Sequence, residues 1–201
     1  MKKLMLASIS YNIRDIEGLV FLIPSRLRRF ERPVENNLRK VVALLKEKGW
    51  REYILMADFP TVVVSSPPKG NFGLLFGREI DRCRRVFFVD SGLMAKQPVA
   101  WIASALVHEA THVFQQNYFS HEEMENRKKK EVDACGEQLR FLGRLGGVRW
   151  YMREIRRMLK KSRGWWEYLD NGPTTKQERY WAKRRLLCER IHDDLTPHIS
   201  F

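Results

Sequence analysis

Cysteine is scarce in this 201-residue chain: Cys83, Cys135 and Cys188 are the only three, and they are widely scattered. No CxxC pair suggests a redox or zinc-knuckle motif, and three thiols are too few for a disulfide-built fold. Reduced, mostly buried thiols are expected. Long apolar runs are missing too, and none approaches the ~18–20 residues of a membrane span. The N-terminal MKKLMLASIS imitates a secretory leader, but its apolar run stops at Ser10-Tyr11-Asn12. That stretch is at or below the ~7-residue minimum of a signal core, so a cytoplasmic protein is expected. Internal repeats and low-complexity linkers are absent. Acidic charge is in short supply, with 24 Asp+Glu against 37 Lys+Arg and a net charge of +13 at pH 7. Such a balance points to a polyanionic neighbour and is silent about fold and catalysis. Apolar residues are not lacking: at 44% of the chain they exclude wholesale disorder.

The residues that are present divide the chain in order. From Pro33 a helical pattern (Leu38, Val41, Val42, Leu44, Leu45) runs to Gly49, with proline in the first turn and glycine just past the end. Strands are expected over Glu52–Met56, Thr61–Val64, Phe72–Phe76 and Arg85–Asp90, with Ser65–Asn71 as a loop, forming a small, mostly antiparallel sheet of about three or four strands. After Gly92 the pattern is helical: about Pro98–Asn117, about Glu122–Leu145 up to Gly146-Gly147, a basic helix over about Val148–Arg163, and a last helix over about Thr174–His192. Helix and sheet first, helices afterwards, argues for a single α+β domain over 1–201. Within it, 1–97 is the helix and sheet part, 98–146 the candidate metal-binding helices and 147–201 the basic helical part.

The stretch that carries chemistry is HExxH: His108, Glu109 and His112. Residues four apart on a helix lie one turn above each other on the same face. Two imidazoles so placed can reach one zinc ion at the ~2.0–2.1 Å bonding distance. Glu109 projects beside the metal, where it can take a proton from an attacking water and later hand it to a leaving amine. Trp101, Ile102, Leu106, Val113 and Phe114 supply an apolar body to the helix. Catalytic zinc normally takes three protein ligands and keeps a fourth position open. An HExxHxxGxxH extension is excluded, because Gln115 and Tyr118 stand at its glycine and histidine positions. A glutamate on a second helix is the other solution. Glu131 follows His112 after 18 intervening residues, room for a loop and the entry of an antiparallel helix. Small residues at Ala134 and Cys135 would let the two helices approach closely. His121, Glu122, Glu123 and Glu125 read as solvated charge, Glu137 as exposed, and Asp133 as a carboxylate that instead holds a ligand histidine.

HExxH followed by a separate glutamate in an ExxA context resembles the gluzincin branch of zinc metallopeptidases, in a small single-domain form. The resemblance covers roughly residues 85–145 and includes an apolar strand, RVFFVD, ahead of the histidine helix, as in the substrate-aligning edge strand of many zincins. It implies His108, His112 and Glu131 as zinc ligands, Glu109 as general base, a peptide substrate paired along RVFFVD, and hydrolysis of peptide bonds. It also implies a His, Tyr or Arg that stabilises the oxyanion, for which Tyr151, Tyr168, His192 and His198 are the candidates.

Between Arg140 and Arg163 nine Arg and Lys residues face Glu154 alone, a run that begins at the end of the glutamate helix. Trp150, Tyr151, Trp165, Trp166, Tyr168, Tyr180 and Trp181 are interleaved with further basic residues. Arginine with aromatics is the composition of a nucleic-acid platform. The plainer reading is an amphipathic helix that buries Trp150, Ile155, Met158 and Leu159 and shows its arginines to water; an acidic membrane surface is a third. The alternative to a peptidase is a non-catalytic zincin-like module that binds nucleic acid or an acidic partner through Arg140–Arg163.

Overall fold

Two tight turns set up the first sheet strands. A computed structural model describes residues 3–26, 31–57, 61–64, 76–77, 87–118, 127–160, 186–188, 190–191 and 193–195. Strands β1 (Lys3–Leu6), β2 (Ile9–Ile16) and β3 (Leu19–Pro24) form an antiparallel meander. Leu6 pairs with Ile9 and Ile16 with Leu19, so each connection is a two-residue loop. All four loop residues have positive φ: Ala7 45°, Ser8 61°, Glu17 53° and Gly18 86°. Paired positive φ values are the type I′ geometry, whose twist matches that of the strands it joins. Asp15 Oδ1 accepts the Gly18 N–H at 2.8 Å and fastens the second turn.

Helix α1 (Glu31–Glu47) carries Pro33 in its first turn, and the chain reverses at Gly49, φ 71°. It leads into α2 (Arg51–Ala57), where the sequence pattern suggests a strand over Glu52–Met56. Read with its neighbours, the segment buries Trp50, Ile54 and Ala57 and packs Tyr53 against the same core. That is i, i+3, i+4, i+7 spacing, a helical face that the short apolar run by itself conceals.

β4 (Thr61–Val64) lies parallel to β3, β6 (Phe87–Asp90) parallel to β4, and β5 (Phe76–Gly77) antiparallel to β6. Among the described residues the sheet is six-stranded and mixed, in the order β1-β2-β3-β4-β6-β5, and the fold is α+β. It is larger than the three or four strands expected, because the N-terminal meander also belongs to it. The antiparallel pairings flank two parallel ones at the centre. The described part of RVFFVD, Phe87–Asp90, is therefore not an open sheet edge over its first two residues. Phe87 and Phe88 pair with β4 on one side and β5 on the other. Phe87, Phe88 and Val89 are all buried, as expected of a strand covered on both faces. The expected Phe72–Phe76 strand lies outside the described residues apart from Phe76.

Side chains alternate between two cores. Phe21, Ile23, Val63, Phe87 and Val89 face a large core closed by the main helices, while Leu22, Val62 and Phe88 face a smaller one with Leu6, Tyr11, Cys188, Ile191 and Leu195. The second face is thus closed by helical residues between 186 and 195. After β6 come α3 (Ser91–Lys96), α4 (Val99–Tyr118), α5 (Arg127–Gly143) and, past Gly146 and Gly147 at φ 66° and 67°, α6 (Arg149–Leu159). Among the described residues no helix is long and apolar enough to cross a membrane.

The turns supply a stability test. Ser8 occupies a left-handed conformation that glycine adopts without strain, so Ser8→Gly is expected to stabilise by about 0.5–1 kcal/mol in denaturant unfolding. Gly18→Ala is expected to destabilise by about 1–2 kcal/mol, since a Cβ at φ 86° also meets Leu55 Cδ2 at 3.2 Å.

Candidate metal centre

Helix α4 runs off the end of the sheet and buries most of its surface: Ile102, Leu106, Val107, Ala110 and Val113 are in the large core. His108 and His112 lie on the side that meets α5. There the glycine-free contact is made by small residues, Ala134 and Cys135, both fully buried. Close approach is what these side chains permit, and the antiparallel helices are latched along their length. Gln138 Nε2 donates to Ser104 Oγ at 3.0 Å, and Gln115 Nε2 donates to the Lys130 carbonyl at 2.9 Å. On its other side α4 is held by α2, through Tyr53 Oη and Thr111 Oγ1 at 3.0 Å. Burial pushes the Tyr53 hydroxyl pKa up, keeping it neutral in that contact.

Between the two latches three donor side chains converge. The Nε2 atoms of His108 and His112 are 3.0 Å apart. Glu131 Oε2 is 3.4 Å from His108 Nε2, and Glu131 Oε1 is 3.5 Å from His112 Nε2. Side-chain exposure is 11%, 22% and 18% for His108, His112 and Glu131. The three residues form a group that could hold a metal ion. Donors at ~2.0–2.1 Å from a tetrahedral centre are separated by about 3.3 Å; the Nε2–Nε2 distance of 3.0 Å and the distances of 3.4 and 3.5 Å from one histidine to each carboxylate oxygen are close to that.

Three further observations test the fit. Among the described residues, Glu131 Oε2 is buried and accepts no hydrogen bond, a costly state for a carboxylate unless a cation faces it. The ring orientation of His112 is set from behind, with Nδ1 2.8 Å from Gln115 Oε1. An Nδ1–H donated there leaves the Nε2 lone pair directed at the cluster, the arrangement that metal-ligating histidines use. His108 Nδ1 faces Cys135 Sγ at 3.9 Å, a longer and weaker contact. The electrostatics agree. Burial works to lower the His108 pKa, but contacts with Cys135 and Glu131 and the charges of Glu109 and Glu131 outweigh it and push the value up to about 10. Burial likewise works to raise the Glu131 pKa, and His108, His112 and Lys130 override it and hold the carboxyl below its usual range. The cluster is rich in negative charge and draws in a positive one. A proton on His108 supplies it, as a divalent cation would.

Glu109 is half-buried on the same helix, one residue from His108 and close enough to act on its charge. Of the other sequence candidates, Asp133 is exposed and does not hold a histidine; that position is filled by Gln115 and Cys135. Glu137 is partly buried and pairs with Arg140 at 2.8 Å. Tyr151 packs on Trp101, about two helical turns before His108 on α4, with ring centroids 5.4 Å apart. His121, Glu122, Glu123, Glu125, Tyr168, His192 and His198 lie outside the described residues. Gln115 was open to discovery in the sequence, since a residue three after His112 shares its helix face.

The supporting contacts make a prediction about metal affinity. Glu131→Ala is expected to abolish stoichiometric binding of a divalent transition metal, measured by equilibrium dialysis with metal analysis. Gln115→Ala, which keeps all three donors, is expected to weaken binding by about 10–100-fold in chelator competition.

Comparison with protein-family models, with curated proteins and with solved structures found no match to this chain.

Proposed function

We propose that this protein is a zinc-dependent peptidase of the gluzincin type, hydrolysing peptide bonds in a peptide or protein substrate. The observation that carries the reading is the donor triangle of His108, His112 and Glu131, with Glu109 beside it on the same helix. Two imidazole nitrogens and one carboxylate are a catalytic-zinc donor set, and three protein ligands leave a fourth position open for water or substrate. Hard-cation sites for calcium or magnesium use oxygen donors instead. Bound zinc supplies Lewis acidity and a lowered pKa for water.

The chain's own groups do the rest. His108 and His112 are held in one orientation by Cys135 and Gln115, so the donors are arranged before substrate arrives. Glu131 is fixed on α5 by the Gln115 contact to the Lys130 carbonyl next to it in the chain. Glu109 is the general base: its carboxylate takes the proton of the attacking water and passes it to the departing amine nitrogen. The apolar packing around α4 limits bulk water at the donors, which strengthens each electrostatic contact there. Substrate pairing along the whole of RVFFVD is not part of this reading, because β5 covers Phe87 and Phe88.

The test is Glu109→Gln. Metal content is expected to stay stoichiometric while cleavage of a peptide library falls by about 10²–10⁴-fold, the range of a lost general base. Undiminished cleavage in that variant, or a metal-loaded wild-type protein that cleaves nothing, overturns the proposal.

A further inference from the structure

Helix α6 has two faces that the metal chemistry does not use. Its inner face is taken: Ile155 is fully buried, and Tyr151, Met152, Met158 and Leu159 pack on the large core. Its outer face carries Arg149, Arg153, Arg156 and Lys160, all exposed. These residues are spaced i, i+4, i+7, i+11, so they form one stripe about 16 Å long. Among the described residues none of the four makes an ion pair, whereas Arg157 and Arg140 are matched to Glu154 and Glu137. Trp150 flanks the stripe and is 66% exposed, contrary to the expectation that it is buried with Ile155. Among the described residues its one ring contact is a T-shaped one with Tyr151, at a centroid distance of 5.1 Å and an interplanar angle of 79°, and most of the indole is open to solvent.

We infer that the outer face of α6 binds single-stranded nucleic acid. Cations in a row, without ion-pair partners among the described residues, match a row of phosphates, which in a stacked strand repeat every ~3.4 Å, so the stripe spans about four or five of them. An exposed indole beside that row offers a surface on which an unpaired base stacks. A duplex keeps its base faces inside and has no use for such a ring. An anionic membrane requires an apolar face to enter the lipid boundary, and the apolar face of α6 is consumed by the core. The surface is also separate from the metal cluster. It adjoins the C-terminal end of α5, and Gly143 lies about 18 Å along that helix from Glu131. The inference therefore stands without the peptidase reading.

The experiment uses the full chain and a fluorescently labelled 20-nucleotide oligo(dT), with anisotropy measured from 50 to 300 mM NaCl. Expected is salt-dependent binding whose log–log slope reflects ~0.7 per phosphate neutralised. Arg149→Gln, Arg153→Gln and Arg156→Gln combined are expected to lower that slope by about 2 and weaken binding at 50 mM NaCl by more than tenfold. Trp150→Ala alone is expected to weaken it by about tenfold with little change in slope. A control variant with Lys3→Gln, Lys40→Gln and Arg190→Gln removes the same charge from exposed positions elsewhere and is expected to change affinity less than threefold. All these residues are exposed, so unchanged circular dichroism and Tm verify folding. No binding at 50 mM NaCl, equal losses in the two triple variants, an inert Trp150→Ala, tighter binding to the matching duplex, or binding to phosphatidylserine vesicles in place of oligo(dT) would each overturn the assignment.

Discussion

The contact between α4 and α5 is the constraint on which the rest of this molecule depends. It places a buried carboxylate, Glu131, within 3.5 Å of two histidine nitrogens. Desolvating such a group is unfavourable by several kcal/mol unless opposite charge and hydrogen bonds compensate. The compensation is local and specific. Ala134 and Cys135 allow the helices to meet, and the Gln138–Ser104 and Gln115–Lys130 contacts hold their register on either side of the cluster. A shift of one residue along α5 would turn Glu131 about 100° away from the histidines.

The sheet is what makes that contact rigid. Strands β3, β4 and β6 send alternate side chains into two cores, so the strand that leads into α3 and α4 is covered on both faces. α4 is then gripped by α1, α2 and α5 together, and the Tyr53–Thr111 hydrogen bond prevents its far side from rolling. A donor cluster on a helix fixed from three directions is preorganised, which is the property that metal ligation and hydrolysis both need. The basic stripe of α6 sits on the other end of the same helix pair. Charge and candidate chemistry are thus parted by the length of α5, and the +13 of the whole chain does not describe the field at the metal site.

How much of this was legible beforehand depends on the range of the interaction. Helix α1 could be read because Pro33, the apolar spacing and Gly49 are local signals. The α2 segment reads locally as a strand because five residues do not distinguish period 2 from period 3.6; Trp50 and Ala57, just outside it, decide the matter. The β1–β3 meander was passed over because its turns use Ala7-Ser8 and Glu17-Gly18, and the first pair contains no residue that favours positive φ. RVFFVD was recognised as a strand, but whether a strand is central or at an edge is a property of its neighbours.

The candidate site divides along the same line. By itself the sequence determined that His108 and His112 share a helix face and that Glu109 lies beside them, because four residues of helix return to nearly the same direction. It also determined the α+β class, through the order of its periodic segments. It also set Glu131 ahead of Asp133 and Glu137; only the tertiary structure brings its carboxylate within 3.5 Å of both histidine nitrogens and stands Gln115 and Cys135 behind the two histidines. It alone decided that Trp150 faces water next to a row of arginines that have no ion-pair partner among the described residues. Those choices depend on how helices are rotated and translated against one another, and that is set by side-chain packing across elements far apart in the chain, beyond the reach of any local spacing.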